Sequence, residues 1–445
     1  MNKPIYHITP EKGWMNDPNG LVEYNGVYHV FYQADPEHLI NENIGWGHKI
    51  SSDLLHWEEC QPALLPDQSY DRDGCFTGSA VIKDDKMYLL YTGHVNQESG
   101  YIETQNLAVS KDGIHFEKYD GNPVIKKPPA DTTMRFRDPK IWEKNGNYYA
   151  VIGGETEDKC GKVVYYRSRD LQEYTYCGVF AESDGSIGNM WECPNFVQIG
   201  NTDVLIISPK GLEKENGFSA SFESGYMTGK MNYEEGMFSH ASYKKLDHGF
   251  DFYAPQVMEC GDRKILFAWF AIPDSPGIEM EDGWRHLLTI PRELKVASDN
   301  SLLMTPIEEL KKLRTKVLEK TVPGASWNCN IENQPLELLL TGRYEELCFE
   351  IADKNEPLLE FTLKKDNIVL KQKREDGWQI RTCSYYDDIM RKMQIYMDYS
   401  TIEVFINDGR YVFSSRIYPV GSLDFRINAA ADNEDGSLEI YSLSL

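Results

Sequence analysis

The chain has 445 residues, with 46 lysines and arginines against 70 aspartates and glutamates, and a formal net charge of −24. This length exceeds what one hydrophobic core usually serves, so the sequence predicts two domains. Such a negative chain repels phosphate backbones and anionic lipid headgroups, and we expect neither a nucleic acid nor a membrane among its partners.

The nine cysteines are scattered and odd in number, and they form no CxxC pair. The ten histidines include no His-x-x-x-His pair, so the sequence predicts no metal site. The first residues lack a secretory signal, and no apolar run approaches the ~18 residues of a membrane span. We therefore expect a cytoplasmic protein with reduced thiols, whose oligomeric state the sequence leaves open.

Turn-and-strand units recur along the first two thirds of the chain. The residues after the five turns are Tyr28, Tyr88, Tyr148, Val204 and Ile265, at intervals of 60, 60, 56 and 61. A second marker, Ser-x-Asp followed by an aromatic residue, begins in the same phase at 51, 110 and 168. A unit of about 60 residues with several short strands suits a four-stranded propeller blade with long loops. The sequence predicts an all-β fold with a five-bladed β-propeller over residues 1–300.

The pattern changes after the fifth unit. Thr-Pro-Ile-Glu at 305–308 is typical of a helix N-terminus, and helical spacing is kept by Ile307, Leu310, Leu313 and Val317. We expect a linker with a short helix over 301–322. From 323 to 445 the strands alternate, and Asn-Asp-Gly at 407–409 predicts a tight hairpin. This part is predicted to be a β-sandwich.

Polar clusters occur once per repeat, about 11 residues before each turn. They centre on Asp17, Thr77, Asp138, Glu192 and Tyr253, at intervals of 60, 61, 54 and 61. In a propeller the innermost strands line the central channel, so residues at one phase of the repeat converge. Taken alone, an aspartate before a proline would be an ordinary turn former, but turn formers need no common phase. Three carboxyls in one cavity favour a glycosidase, which needs two of them and no cofactor.

At these clusters the sequence resembles glycoside hydrolase family 32, the invertase, inulinase and sucrose-6-phosphate hydrolase group. The resemblance rests on Trp-Met-Asn-Asp-Pro-Asn-Gly at 14–20, Arg-Asp-Pro at 137–139 and Glu-Cys-Pro at 192–194. It reaches 398–409, which is similar to the hairpin of the family's C-terminal sandwich. At 76–79 this chain has Phe-Thr-Gly-Ser where the family usually has Phe-Ser-Gly-Ser, so we expect an altered fit to the sugar and not a loss of activity.

The resemblance implies a retaining β-fructofuranosidase that acts on a small sugar. Asp17 would attack the anomeric carbon of fructose, Glu192 would act as acid and base, and Asp138 would stay ionised and hold ring hydroxyls. Further contacts with the substrate are implied for Trp14, Asn16, Gln33, Trp46, Phe76, Thr77, Arg137, Tyr253 and Trp269.

The neighbours of the two reacting carboxyls in the sequence suggest how their charge states could differ. Trp191, Cys193 and the charge of Asp17 are expected to raise the pKa of Glu192. Backbone amides around 16–20 are expected to keep Asp17 ionised.

Sucrose and sucrose-6-phosphate are the expected substrates, because a polymer cannot easily reach a cytoplasmic enzyme. An exo-acting fructanase, a transfructosylase on short fructo-oligosaccharides and a propeller enzyme for arabinose-type furanosides are alternatives. A non-catalytic sugar-binding propeller is an alternative of another class, and binding without hydrolysis would identify it. The C-terminal domain could stabilise the propeller or bind sugar itself.

Overall fold

The computed structural model describes residues 3–213, 220–321, 325–429 and 436–445. Two compact units are present. One comprises the described residues of Ile8–Leu246 and Phe252–Ser301, and the other those of Met1–His7, Asp247–Asp251 and Leu302–Leu445. Both are built almost entirely from β-strands, and the predicted fold class, a five-bladed β-propeller followed in the chain by a β-sandwich, is confirmed. Within the described ranges, no helix has the length and hydropathy to cross a bilayer.

The first unit consists of five sheets in chain order. Blade 1 contains β1 (Gly13–Tyr24), β2 (Val27–Asp35), β3 (Gly45–Ser51) and β4 (Glu58–Glu59). Blade 2 contains β5 (Cys75–Lys83), β6 (Lys86–Asn96), β7 (Tyr101–Ser110) and β8 (Glu117–Lys118). Blade 3 contains β9 (Phe136–Lys144), β10 (Asn147–Glu155), β11 (Gly161–Ser168) and β12 (Thr175–Glu182).

Blade 4 contains β13 (Met190–Ile199), β14 (Thr202–Lys210), β15 (Gly225–Asn232), β16 (Met237–His240) and β17 (Lys244–Lys245). Blade 5 contains β18 (Tyr253–Cys260), β19 (Arg263–Trp269) and β21 (Arg292–Val296). The short strand β20 (Trp284–Arg285) lies between β19 and β21 in the chain but pairs in parallel with β1. This pairing joins the end of the repeat region to blade 1.

The innermost strands β1, β5, β9, β13 and β18 contact one another in a ring. Each of them has an irregular register with its partner strand, and the shift falls at the predicted polar cluster. A β-bulge of this kind leaves extra residues unpaired and redirects their side chains. Positive φ angles of 66°, 48° and 49° occur there at Asp138, Cys193 and Ala254. The repeat therefore places a backbone distortion in every blade where the polar clusters lie.

The second repeated marker is a turn built in the same way three times. The Oγ atoms of Ser51, Ser110 and Ser168 each accept a hydrogen bond from the N–H three residues later, at 2.9 Å. The Oδ1 atom of the following aspartate accepts two further backbone N–H groups in each turn. These bonds explain why serine and aspartate recur at fixed positions between the third and fourth strands of blades 1 to 3.

The second unit contains two six-stranded sheets. The first has the order β23 (Arg314–Thr321), β34 (Ser437–Leu443), β25 (Leu336–Tyr344), β30 (Met390–Met397), β31 (Thr401–Ile406) and β32 (Tyr411–Arg416). The second has the order β24 (Ala325–Ile331), β33 (Leu423–Ala429), β26 (Leu347–Asp353), β27 (Glu356–Lys364), β28 (Asn367–Arg374) and β29 (Gly377–Ser384). The predicted hairpin at 407–409 joins β31 to β32. Buried aliphatic and aromatic side chains fill the core of this unit.

The helix predicted after Thr305 is confined to a single 3₁₀ segment, Glu308–Leu313. Its buried residues are Leu310 and Leu313, whose spacing of three is the period of a 3₁₀ helix. Val317 is 53% exposed and lies on β23, so the helical interpretation was wrong from that point on. Before the 3₁₀ segment the chain forms β22 (Leu302–Pro306).

Candidate active site

A cavity of about 490 Å³ lies at the bulged parts of the five innermost strands. Its size is typical of a small-molecule site. Ten of the twelve residues predicted from the sequence line it: Trp14, Asn16, Asp17, Gln33, Phe76, Arg137, Asp138, Glu192, Tyr253 and Trp269. Residues far apart in the chain thus meet here because they share a phase of the repeat.

The Asp17 carboxyl is held by three side chains. Thr77 donates to Oδ2 at 2.6 Å, Asn16 donates to Oδ1 at 3.0 Å, and the thiol of Cys193 lies 3.3 Å from Oδ2. Burial raises the pKa of Asp17, these hydrogen bonds partly oppose the rise, and the charge of Glu192 adds to it. The donors are therefore side chains and not the backbone amides that the sequence led us to expect.

These donors belong to a closed network of amides and hydroxyls. Asn16 also donates to Gln33 Oε1 at 2.8 Å, and Gln33 donates to Thr77 Oγ1 at 2.6 Å. The indole N–H of Trp14 donates to Asn16 Oδ1 at 2.6 Å. Because each group has a fixed donor or acceptor role, the network fixes the orientation of the Asp17 carboxylate.

The other two predicted residues, Thr77 and Trp46, lie behind the wall of the cavity. Both have 0% exposed surface. Thr77 acts on the site through its hydrogen bond to Asp17, and the indole N–H of Trp46 donates to the backbone carbonyl of Phe76 at 3.1 Å. They support residues that face the cavity.

Asp138 is anchored at the bulge of β9. Its Oδ2 atom accepts the backbone N–H of Cys193 at 2.9 Å, and its own N–H donates to Thr92 Oγ1 at 3.0 Å. Burial raises the pKa of Asp138 well above its usual range; Arg137 opposes this, and the two neighbouring carboxylates add to it. This direction runs against the expectation that Asp138 simply stays ionised.

Glu192 has the strongest positive surroundings of the three carboxyls. Arg137 donates to Oε1 at 2.6 Å, the hydroxyl of Tyr253 donates to Oε2 at 2.7 Å, and Lys210 Nζ lies 3.9 Å from Oε1. Burial raises the pKa of Glu192, but Arg137, Lys210 and the hydrogen bonds outweigh burial and lower it. The raised pKa predicted from the sequence is wrong.

The reason for that error lies in the alternation of a β-strand. The side chain of Trp191, next to Glu192, packs in the core formed with blade 3 and donates to the carbonyl of Ile187 at 2.7 Å. Successive side chains point to opposite faces of a sheet, so the neighbours of Glu192 in sequence do not surround its carboxyl. Its surroundings come from the neighbouring strand β14 and from blades 3 and 5.

Glu103 is an important member of the site that the sequence analysis missed. It lies on β7 with 1% exposed surface, accepts Arg137 Nη1 with both oxygens at 3.1 and 3.2 Å, and accepts the N–H of Phe136 at 2.8 Å. Arg137 therefore bridges two carboxylates, Glu103 and Glu192. The available signal was the polar run Glu-Thr-Gln-Asn at 103–106 inside a strand, but it lies outside the phase of the other clusters.

Further residues complete the wall of the cavity. The sequence analysis named none of them: Asn41, Ile44, His94, Tyr101, Arg135, Lys210 and Pro273. Most come from loops or from second and third strands, where the repeat gives no positional information.

The site combines four buried or half-buried carboxyls with one arginine that already binds two of them. Such groups titrate together, so protons are shared according to the local charge. Asp17 and Asp138 have raised pKa values and Glu192 a lowered one. One carboxyl held by three donors and a second carboxyl beside a cation and a phenol are suited to a two-step displacement.

Comparisons with known proteins agree with this geometry. The profile of the Glycosyl hydrolases family 32 N-terminal domain matches residues 7–306, and that of the family 32 C-terminal domain matches residues 359–444. The chain is 37% identical to a sucrose-6-phosphate hydrolase of Bacillus subtilis (strain 168) over 431 residues, 93% of this chain and 88% of that protein. It is also 37% identical to a raffinose invertase of Escherichia coli, with 94% and 89% of the two chains covered.

Solved structures show the same likeness. A Bombyx mori GH32 β-fructofuranosidase superposes with a TM-score of 0.89 at 34% identity and covers 99% of this chain and 94% of that chain. A mutant of that enzyme has been solved in complex with sucrose. A sucrose-6-phosphate hydrolase from Lactobacillus gasseri superposes with a TM-score of 0.87 at 27% identity, with 99% and 93% covered.

Proposed function

The chain belongs to glycoside hydrolase family 32 and is a β-fructofuranosidase, and we propose that it cleaves sucrose and sucrose-6-phosphate by double displacement at Asp17 and Glu192. One observation supports this mechanism above all. Asp17, Asp138 and Glu192 come from three different blades and line the same cavity, each held by its own donors.

In the first step, Asp17 attacks the anomeric carbon of the fructosyl unit. The hydrogen bonds from Thr77 and Asn16 leave the carboxylate little freedom to rotate, so its attacking oxygen is positioned before the substrate arrives. Asp138 lies deeper, at 5% exposed surface, and accepts ring hydroxyls as positive charge develops on the sugar.

Glu192 gives its proton to the departing oxygen. Arg137 favours the charged form of this carboxyl, so a change of partner is needed before it can act as an acid. We assign this change to the substrate: its hydroxyls bind the Arg137 guanidinium, and the expulsion of water raises the pKa of Glu192. Glu192 then receives the shared proton of the carboxyl cluster.

In the second step, Glu192 acts as a base and activates a water molecule. The water attacks the fructosyl group on Asp17 from the face that the leaving group has vacated. Two inversions at the same carbon give net retention. Asp17 and Glu192 then return to their starting states.

A leaving-group experiment tests these roles. Glu192→Gln should lower kcat on sucrose by roughly 10²- to 10⁴-fold, because the leaving oxygen is no longer protonated. The kcat of Glu192→Gln on a fructoside with an acidic leaving group should fall far less. A fructosyl group should accumulate on Asp17, and mass spectrometry of the peptide that contains Asp17 should detect it. Near-normal turnover of sucrose by Glu192→Gln would refute the assignment.

The choice of substrates follows the relatives. Two of the chains described above are sucrose-6-phosphate hydrolases, one is a raffinose invertase, and one structural neighbour has been solved with sucrose. We therefore place sucrose and its 6-phosphate before fructans. Measuring fructose release from sucrose, sucrose-6-phosphate and inulin tests this order, and faster release from inulin would reverse it.

We also propose that the enzyme works in the cytoplasm. All nine cysteines lie in the described ranges and all are free thiols, which suits a reducing compartment. Fractionation of the source cells with an antibody against the chain tests this, and activity outside the cytoplasmic fraction would contradict it.

A further inference from the structure

The cations in the cavity are unequally neutralised. Arg137 is bound between the carboxylates of Glu103 and Glu192. Lys210 has a 40% exposed side chain, and the nearest carboxylate oxygen among the described residues, on Glu192, is 3.9 Å away. Arg135 has a 38% exposed side chain and lies 3.4 Å from Glu155. Lys210 and Arg135 are therefore solvent-accessible positive groups with loose partners.

Lys210 lies on the side of the cavity where the leaving group must be, and Arg135 lines the same cavity. The glycosidic oxygen has to meet the Glu192 carboxyl to be protonated, and Lys210 contacts the same Oε1 atom that Arg137 binds. Arg135 precedes Arg137 by two residues, immediately before β9, and lines the same cavity. The fructosyl unit lies on the other side, towards Asp17.

The net charge of the chain explains why an anionic substrate would need local cations in the cavity. A chain with a net charge of −24 repels an anionic substrate, and a phosphate monoester carries a charge of about −1.5 to −2 at neutral pH. A neutral disaccharide needs no cation at its far end. Lysine is a flexible point charge that suits phosphate, and arginine can bind two phosphate oxygens at once.

We infer that Lys210 and Arg135 bind the phosphate of a phosphorylated leaving sugar and so favour sucrose-6-phosphate over sucrose. The inference rests on the proposed function, because it assumes that the leaving group departs next to Glu192. Lys210 is the primary contact and Arg135 closes on the phosphate from the neighbouring blade. Both are specificity residues for the leaving group.

The test compares kcat/KM for the two substrates in the full-length enzyme. Lys210→Met should lower kcat/KM for sucrose-6-phosphate by roughly tenfold to hundredfold, mainly through KM, as expected for the loss of a charge-assisted hydrogen bond. Lys210 also lowers the pKa of Glu192, on which both substrates depend, so the decisive readout is the ratio of the two kcat/KM values, which should fall in favour of sucrose. Arg135→Met should show a smaller loss of the same kind, and Lys210→Arg should keep the preference.

Lys230→Met is the matched control, because it removes the same charge from an exposed position on β15 that does not line the cavity. It should leave both substrates unchanged. Inorganic phosphate serves as an independent probe: it should inhibit sucrose cleavage competitively, and more weakly in Lys210→Met.

The outcomes separate the two proposals. Equal losses on both substrates, or a wild-type enzyme that cleaves sucrose but not its 6-phosphate, would overturn the phosphate assignment and leave the proposed chemistry standing. A wild-type enzyme that releases fructose from neither substrate would refute the proposed function itself.

Discussion

The residues buried around the propeller cavity differ in kind from those buried in the sandwich core. Around the cavity, each innermost strand is bulged, several residues have positive φ angles, and carboxyls with displaced pKa values face one another. The sandwich has a core of aliphatic and aromatic side chains between two sheets, and its non-glycine residues with positive φ angles lie in turns between strands. Around the cavity, by contrast, positive φ angles occur inside strands, next to a cluster of carboxyls. Substitutions should therefore separate loss of activity from loss of stability.

Asp17→Asn should give the largest effect. The amide keeps the shape of the carboxylate but cannot attack the anomeric carbon, so kcat should fall by about 10³- to 10⁵-fold. Because burial already raises the pKa of this carboxyl, its replacement should not lower the melting temperature. Activity assays and thermal unfolding of the same preparation measure kcat and the melting temperature. A lower melting temperature for Asp17→Asn would show that activity and stability are not separable at this residue.

Phe361→Ala should show the opposite pattern. Phe361 has 0% exposed surface and packs edge-on against Phe413 with ring centroids 5.4 Å apart. A cavity of this size costs about 3–5 kcal/mol in the free energy of unfolding. The kcat of the folded fraction should stay within about twofold, since the described residues that line the active-site cavity belong to the propeller. Urea unfolding followed by activity at low denaturant measures both.

Glu103→Gln should affect both properties. It removes one of the two carboxylates that hold Arg137 in a buried position, and we expect a loss of about 1–3 kcal/mol in stability. Arg137 should then bind Glu192 more tightly, lower its pKa further and reduce kcat/KM at neutral pH by roughly tenfold. The alkaline limb of the pH–rate profile should move to lower pH, and an unchanged limb would show that Glu103 only supports the fold.

His7 should make the stability of the sandwich unit depend on pH. Its ring lies between Asp398 and Glu403, each at 2.9 Å, and these hydrogen bonds outweigh burial and raise the pKa of His7. A raised pKa in the folded state means that the stabilisation is complete below the unfolded value of about 6.5 and is lost as pH rises through the folded value. Urea unfolding at pH 6 and pH 9 should therefore show lower stability at pH 9.

His7→Gln should remove this pH dependence and keep part of the hydrogen bonding. A wild-type protein that is equally stable at both pH values would show that His7 keeps the same charge throughout.

Tyr253→Phe should have the smallest effect. It removes a hydrogen bond of 2.7 Å that favours the charged form of Glu192. The pKa of the acid should rise, so the alkaline limb of kcat/KM should move to higher pH by less than about one unit. Loss of more than about tenfold in kcat would instead indicate that the hydroxyl contacts the substrate.

The sequence predicted the convergence of the site because a repeat turns position along the chain into position around a ring. Asp17, Asp138 and Glu192 needed only a shared phase to be placed together. The repeat also contained the serine and aspartate turns within the blades, which the structure shows to be one hydrogen-bonding pattern. Both successes come from periodicity and not from individual residue types.

The charge states could not be predicted in this way. The cation that lowers the pKa of Glu192 lies 55 residues away on another blade, and Glu103 lies on a third strand outside the phase. Neighbours in sequence such as Trp191 face away from the carboxyl. Electrostatics depends on distances across blades, which only the folded structure supplies.

The pairing of β20 with β1 has a consequence for synthesis of the chain. The strand that carries Asp17 leaves the ribosome more than two hundred residues before its parallel partner, residues 284 and 285. Until then Gly13 and Trp14 lack their partner strand β20, and unpaired strand edges invite pairing with other chains. The nascent polypeptide is therefore vulnerable to aggregation in the interval in which β1 is already made and β20 is not.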